Sequence, residues 1–348
     1  MTTISIAMAT YNGARFIREQ LDSLAAQTVL PMELIVTDDG STDDTLAIIE
    51  EFAKTAQFQV QIVRNETRLG YKANFMKCAA LCTGDLIAFC DQDDIWFRQK
   101  LERQLSHFAD SMVFLSCHNV RLIDQQGRDL GRNLQQFRSS LSFSYWSASP
   151  FAYCQGFTQV FRRQLLSFFY LWDSSIDHHI ITERMAHDEW YFFLALVIGS
   201  VKYDLEPLAL YRQHDLNASG PKLEIKNAVS KILHKIFFDR RPQYEPLRAA
   251  AANREQILKT LSSNICNHLE ISPNAKADNR IKNACLMYAQ LHESLQRRHS
   301  LYSTTSISKR MRILISSVNN GDYKMRNSWK YTILGLIRDC IYTLAHRK

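Results

Sequence analysis

Three observations predict an α/β protein with a mixed, mostly parallel sheet flanked by helices, followed by a basic helical C-terminal extension. Short apolar runs alternate with helix-period stretches over residues 4–115, carboxylates gather just after those runs, and the last third is strongly basic. Ile4–Ala9, Glu33–Thr37, Gln59–Val63 and Leu86–Cys90 read as strands, and the first, second and fourth are apolar enough to be covered on both faces. Between the first two, Phe16, Ile17, Leu21, Leu24 and Ala25 recur at helical spacing. Ser41 reads as a helix N-cap with Asp44 completing a capping box and Leu46, Ile49 and Phe52 forming the buried stripe behind it. Strand and helix in this rhythm favour parallel pairing with right-handed crossovers, and such sheets bind ligands at the carboxyl ends of their strands. Residues 116–185 are aromatic-rich and irregular. From about 221 the text turns helical, with apolar Ile232, Ile236 and Phe237, and Gly220-Pro221 marks the boundary. The expected division is 1–220, with a ligand-binding half to about 115 and a second half from about 116, then 221–348.

The 348 residues, 46% of them hydrophobic, suffice for a substantial core. Eight cysteines without CxxC pairs, and a start that lacks a basic and apolar leader, point to a reducing, cytoplasmic setting. Charge divides the chain. Residues 1–220 carry 19 Lys and Arg against 26 Asp and Glu, whereas residues 221–348 carry 23 against 9. A segment so one-sided seeks polyanions such as nucleic acid, anionic lipid or phosphorylated substrates. No window holds the roughly 20 uninterrupted apolar residues of a membrane span. The nearest, Tyr331–Ala345, is broken by Arg338 and Asp339 and suits either an interfacial amphipathic helix or a helix docked on the domain.

Four clusters carry chemistry. Asp38 and Asp39 end the second strand before a Gly-Ser turn, where a carboxylate can accept hydrogen bonds from the ring N–H groups of a base. Asp91, Asp93 and Asp94 follow the apolar run Leu86–Cys90. Carboxylates that close repel one another and resist burial unless a cation lies among them, and the D-x-D spacing of Asp91 and Asp93 suits magnesium or manganese shared with a diphosphate. His187, Asp188 and Glu189 open an apolar helix, where a carboxylate serves as a general base or as a helix-dipole partner. Tyr211, Arg212, Gln213 and His214 offer a cation, an amide and an imidazole to phosphate or metal.

Together MATYNG (8–13), VTDDGSTDDT (36–45), NETRLGYKANF (65–75), FCDQDD (89–94), HDEW (187–190) and YRQH (211–214) resemble the successive motifs of glycosyltransferase family 2, inverting nucleotide-sugar enzymes with the GT-A fold. The resemblance covers roughly residues 3–220 and is most similar to bacterial rhamnosyltransferases that build O-antigen or capsule. It implies that Asp39 holds the pyrimidine base of a dTDP- or UDP-sugar, with Thr10 and Asn12 shaping that pocket. Asp91 and Asp93 would hold the ribose and a Mg2+- or Mn2+-bound diphosphate, with Arg212 and His214 on the diphosphate or its metal. Asp188 would be the catalytic base, with Glu189 as the fallback because this motif reads His-Asp-Glu where many relatives read Glu-Asp. The implied acceptor is a lipid-linked glycan, reached from the inner face of the cytoplasmic membrane with the basic segment on anionic lipid.

Three other functions compete. A metal-dependent nucleotidyltransferase would show a Gly-rich basic loop near the first strand, which MATYNGARF does not supply. A non-catalytic sugar-nucleotide module would keep the fold, yet Asp93 and Asp188 are intact. Nucleic-acid binding would explain the basic segment but not the acidic motifs, and no recognition motif appears there.

Overall fold

The computed structural model describes residues 2–134, 141–144, 147–215, 244–268, 275–323 and 329–345. The Gly220-Pro221 boundary and the apolar positions Ile232, Ile236 and Phe237 lie outside them. The chain forms two compact units. The first comprises Met1–Ser144, Ala152–Tyr170 and Ala186–Gly220; the second comprises Tyr145–Phe151, Leu171–Met185 and Pro221–Lys348. Two short segments from before residue 220 thus join the helical unit. Within it Leu171–Met185 is held by Asn253, whose amide donates to Ser174 O at 2.7 Å and whose Oδ1 accepts from the Ile176 N–H at 2.9 Å, and Tyr145–Phe151 by the Tyr288 hydroxyl, which donates to Pro150 O at 2.7 Å.

In the first unit, β1 (Ile4–Thr10), β2 (Glu33–Asp38), β3 (Gln59–Arg64) and β4 (Leu86–Cys90) pair in parallel in the order β3-β2-β1-β4. β2 and β4 are buried at every position, whereas the edge strand β3 alternates between exposed and partly buried positions. The intervening helices α1 (Ile17–Ala25), α2 (Thr45–Ala53) and α3 (Tyr71–Leu81) complete the strand–helix rhythm. Ile17, Leu21 and Leu24 of α1 and Ile49 and Phe52 of α2 lie in the same buried cluster as Ile6, Met8 and Val36 of the sheet.

The sheet continues past β4 through β9 (Val160–Arg162), β6 (Val113–Asp124), β10 (Ser200–Gln213) and β5 (Ile95–Trp96), with β7 (Asp129–Asn133) on β6 and β8 (Leu141–Phe143) on β10. β9 runs antiparallel to β4 and β6, whereas β10 runs parallel to β6 and antiparallel to β5. The chain leaves β1 toward β2 and β3 and returns on its other side as β4. This reversal opens a crevice at the carboxyl ends of β1 and β4. Two helices, α4 (Lys100–His107) and α5 (His187–Ile198), complete the unit among the described residues, and all of α5 except Asp188 is buried.

The capping box predicted at Ser41 does not form. α2 begins at Thr45, and the Ser41 hydroxyl instead donates to Asp38 Oδ2 and accepts from the Asn12 N–H. The turn after β2 uses Ser41 to tie two loops together, and Asp43 accepts from the Thr45 N–H in its place.

The second unit contains α6 (Tyr244–His268), α7 (Ala275–Ser303), α8 (Ile307–Asn319) and α9 (Trp329–Ala345). Among the described residues its interior holds a buried charge pair. Asp339 of α9 is wholly buried and accepts from Arg298 Nε at 2.9 Å and from the hydroxyls of Tyr244, Tyr302 and Tyr323 at 3.2, 2.6 and 2.7 Å. The aspartate that interrupts the apolar run 331–345 therefore faces inward, and α9 is docked through it.

Candidate active site

The loop after β1 is fixed from two sides. The Gln92 side chain pairs with both backbone groups of Tyr11, accepting from its N–H and donating to its carbonyl at 3.0 Å each. Asn12 stands at φ +48°, a left-handed conformation that Asn tolerates better than most residues, and its Oδ1 accepts from the Thr42 N–H at 2.9 Å. Thr10 is buried and spends its hydroxyl on Asp38 at 2.9 Å. Asp38 also accepts from the Gly40 and Ser41 N–H groups, so it shapes the turn from beneath.

Asp39 is oriented by the segment 65–75, a motif to which the sequence assigned no role. Its carboxylate accepts from Asn65 Nδ2 at 3.0 Å and from the N–H groups of Leu69 and Gly70 at 2.6 and 2.8 Å. Gly70 sits at φ +77°, which favours glycine. A carboxylate offers about four acceptor positions, so about one remains for a further donor.

At the end of β4, one oxygen from each of Asp91, Asp93 and Asp94 lies within 4.8 Å of the others. Asp94 is fully buried. Its Oδ1 accepts from the Arg212 N–H at 3.1 Å, and its Oδ2 has no hydrogen-bond partner. Burial, then the neighbouring Asp93 and Asp188, pushes the Asp91 carboxyl up to about 8, and burial with Asp93 and Asp91 likewise raises Asp94. Three clustered carboxyl groups, one with an orphaned oxygen, make a donor set of hard oxygens suited to magnesium or manganese. Parallel pairing of β10 with β6 and its antiparallel contact with β5 bring residues from 120 positions downstream to this turn. His214 Nε2 lies 2.9 Å from Asp93 Oδ2. Arg212 is buried, donating from Nε to Asp93 O at 3.0 Å and from Nη2 to Glu19 at 2.8 Å. Its guanidinium braces the acidic turn from behind.

Asp188 reaches the same pocket from the first turn of α5 and is close enough to raise Asp91 electrostatically. Burial pushes its own carboxyl up to about 7, against the opposing effect of N–H donors from Glu189 and Gly156. The turn Gly156–Thr158 and the residue after it act as its mount. Gln159 Nε2 donates to the Asp188 carbonyl at 3.1 Å, and Gly156 has room only for hydrogen, since a Cβ there would stand 2.4 Å from His187 Nε2. The His187 ring stacks on Phe75 with centroids 4.1 Å apart. Glu189, the fallback base, is buried at 3% exposure, whereas Asp188 keeps partial access to solvent.

Sequence reasoning missed Lys100. It is fully buried, donates from Nζ to Phe157 O at 2.6 Å, lies 3.2 Å from the centre of the Trp96 ring, and is pushed down to about 7 by burial despite its attraction to Asp94 and Asp91. A lysine on a polar helix reads as solvated, and nothing in the sequence around it signalled its burial. Gln159 and Gly156 gave no signal, because residues 116–185 carried no motif.

Residues 5–169 match the family model described as Glycosyl transferase family 2. The chain carries a family 2 glycosyltransferase domain. The glycosyltransferase is 29% identical to the dTDP-rhamnosyl transferase RfbG of Shigella flexneri over 63% of this chain and 75% of that protein. It is 31% identical to the UDP-Glc:alpha-D-GlcNAc-diphosphoundecaprenol beta-1,3-glucosyltransferase WfgD of Escherichia coli over 35% of this chain and 47% of that protein. These matches span about half to three quarters of the length of those relatives. The crystal structure of S. aureus TarS 1-349 in complex with UDP superposes with a TM-score of 0.52 at 16% identity, covering 94% of this chain and 91% of that one. The fold is the expected GT-A type, and the enzyme class is nucleotide-sugar-dependent glycosyltransferase. Among the described residues no helix is long and apolar enough to cross a membrane.

Proposed function

We propose that the glycosyltransferase moves a sugar with inversion, rhamnose from dTDP-rhamnose being the best-supported donor, to a hydroxyl of a lipid-linked glycan in bacterial surface-polysaccharide synthesis. The observation that carries this reading is the convergence of Asp91, Asp93, Asp94, His214 and Asp188 on one crevice at the strand ends. The dTDP-rhamnosyl transferase relative supports the donor, and the diphosphoundecaprenol-linked substrate in the name of the glucosyltransferase relative supports the acceptor class. Work on such an acceptor sets the protein on the inner face of the cytoplasmic membrane.

In this reading Asp39, with its remaining acceptor position, meets the N–H of the pyrimidine, while Thr10 and Asn12 hold the loop beside it. Asp91 and Asp93 hold the ribose and the cation, and His214 fixes the Asp93 carboxylate. The direct diphosphate contact expected of Arg212 gives way to a supporting role, because its donors are already engaged behind the turn. A divalent cation held by the acidic cluster would neutralise the charge that develops on the leaving diphosphate. The acceptor oxygen forms its bond to the anomeric carbon from the face opposite the diphosphate, whose bond breaks with the electron pair leaving on oxygen. The acceptor proton passes to Asp188, whose raised affinity for protons suits a base working near neutral pH. The test is turnover of dTDP- and UDP-sugars with a polyprenyl-diphosphate glycan, with the anomeric configuration of the product read by NMR. Inverted product supports the proposal. Retained configuration, or no transfer from a donor that binds, contradicts it.

A further inference from the structure

We propose that helix α8 docks on an anionic lipid bilayer, entering the headgroup region with Ile307, Met311, Ile315 and Val318. This rests on the reading above that the acceptor is lipid-linked, and it names the surface that meets the lipid.

The four side chains are 40%, 37%, 54% and 45% exposed. Their spacing of four, four and three residues gathers them within about 80° of the helix circumference. This stripe is not the face that holds α8 in its unit. Arg310, Leu314 and Ser317 do that from the adjoining side, with Arg310 donating to Thr304 O at 2.7 Å and lying over the Tyr342 ring. α8 therefore buries one face in the bundle and presents a second apolar face outward. Exposed Arg312 borders that second face, about 60° around the helix from Ile315, and exposed Lys309 lies farther round.

The charge of this part of the sequence says what would cover it. Residues 300–348 contain nine Lys and Arg against two acidic side chains, Asp322 and Asp339. Both carboxylates are buried and neutralised from within, Asp322 by Arg297 at 2.6 Å and Asp339 by Arg298 at 2.9 Å. The acidic groups of this stretch are thus withdrawn from the surface while Lys309 and Arg312 stay on it. An apolar stripe bordered by Arg312, on a stretch whose acidic groups are withdrawn, is complementary to anionic headgroups over a hydrocarbon layer. A second copy of the chain fits less well, since a two-fold contact through this stripe would bring two stretches of the same net positive charge together.

The test is co-sedimentation of the full chain with vesicles of phosphatidylcholine containing phosphatidylglycerol, against vesicles of phosphatidylcholine alone. The wild type is expected to bind the anionic vesicles, with binding lowered by salt. Met311→Ser with Ile315→Ser, and separately Lys309→Glu with Arg312→Glu, should each weaken it by about tenfold or more. Both variants alter exposed positions and should keep the thermal protection that a nucleoside diphosphate gives the wild type. Undiminished vesicle binding in either variant, equal binding to neutral vesicles, or a solution dimer abolished by the Met311/Ile315 variant would overturn the proposal. Nucleotide protection without vesicle binding would sink this inference alone. Stripe-dependent vesicle binding without nucleotide protection would sink the donor reading and leave this one standing.

Discussion

Asp188 must be dry enough to hold a proton and still lose it at working pH. With its carboxyl pushed up to about 7, kcat should fall as pH drops through about 7 and level off above it. Stability runs the other way. The folded value lies above the ~3.9 of an unfolded aspartate, so the stabilisation that goes with the protonated form is complete below about pH 4 and is lost as pH rises through about 7. Asp188→Asn should therefore raise the melting temperature at pH 8 while cutting kcat by about 10²–10⁴-fold, a pairing that a structural aspartate would not give. Gly156→Ala tests the mount of the base. A Cβ 2.4 Å from His187 Nε2 must push the turn or the ring away, so kcat should fall by about tenfold or more with KM for the donor unchanged, and adding His187→Ala should recover part of it. The carboxylates were legible because an acidic triplet behind an apolar strand is anomalous in sequence. Gly156 and Lys100 were not, since a missing side chain and a buried ammonium are defined only by what packs against them.

Elements explain why loops so far apart in sequence form one site. β1, β2 and β4 were legible to within a residue because strands covered on both faces are written as predominantly apolar runs. The second half of the sheet was not, because β9 has three residues and β5 two, and β10 passes irregularities at Asp204, Pro207 and Ala209 that break any simple pattern. The capping box failed for a related reason: a serine three residues before an acid is a local signal, and here tertiary partners claimed the serine. Gln92 joins the β4 turn to the β1 loop through two hydrogen bonds. Gln92→Ala should cost about 1–2 kcal/mol of stability and weaken donor binding by calorimetry, with kcat at saturation little changed.

For the whole molecule, the division of charge was plain in the sequence, but its arrangement was not, because composition cannot say which acids are withdrawn from the surface. Asp339 shows the difference. Asp339→Ala leaves the Arg298 guanidinium buried without its carboxylate and should destabilise the helical unit by about 3–5 kcal/mol, read as faster hydrogen exchange in α7. In the proposed reaction a cation and a nucleotide sugar bind together at the acidic turn after β4. The most direct measurement is thermal protection by dTDP and UDP compounds, with and without magnesium or manganese, in wild type and Asp93→Ala. A ligand that binds only the native protein raises its melting temperature by mass action. The expected result is a metal-dependent rise that disappears in the variant. The same rise in Asp93→Ala, or none in a folded wild type, would contradict it.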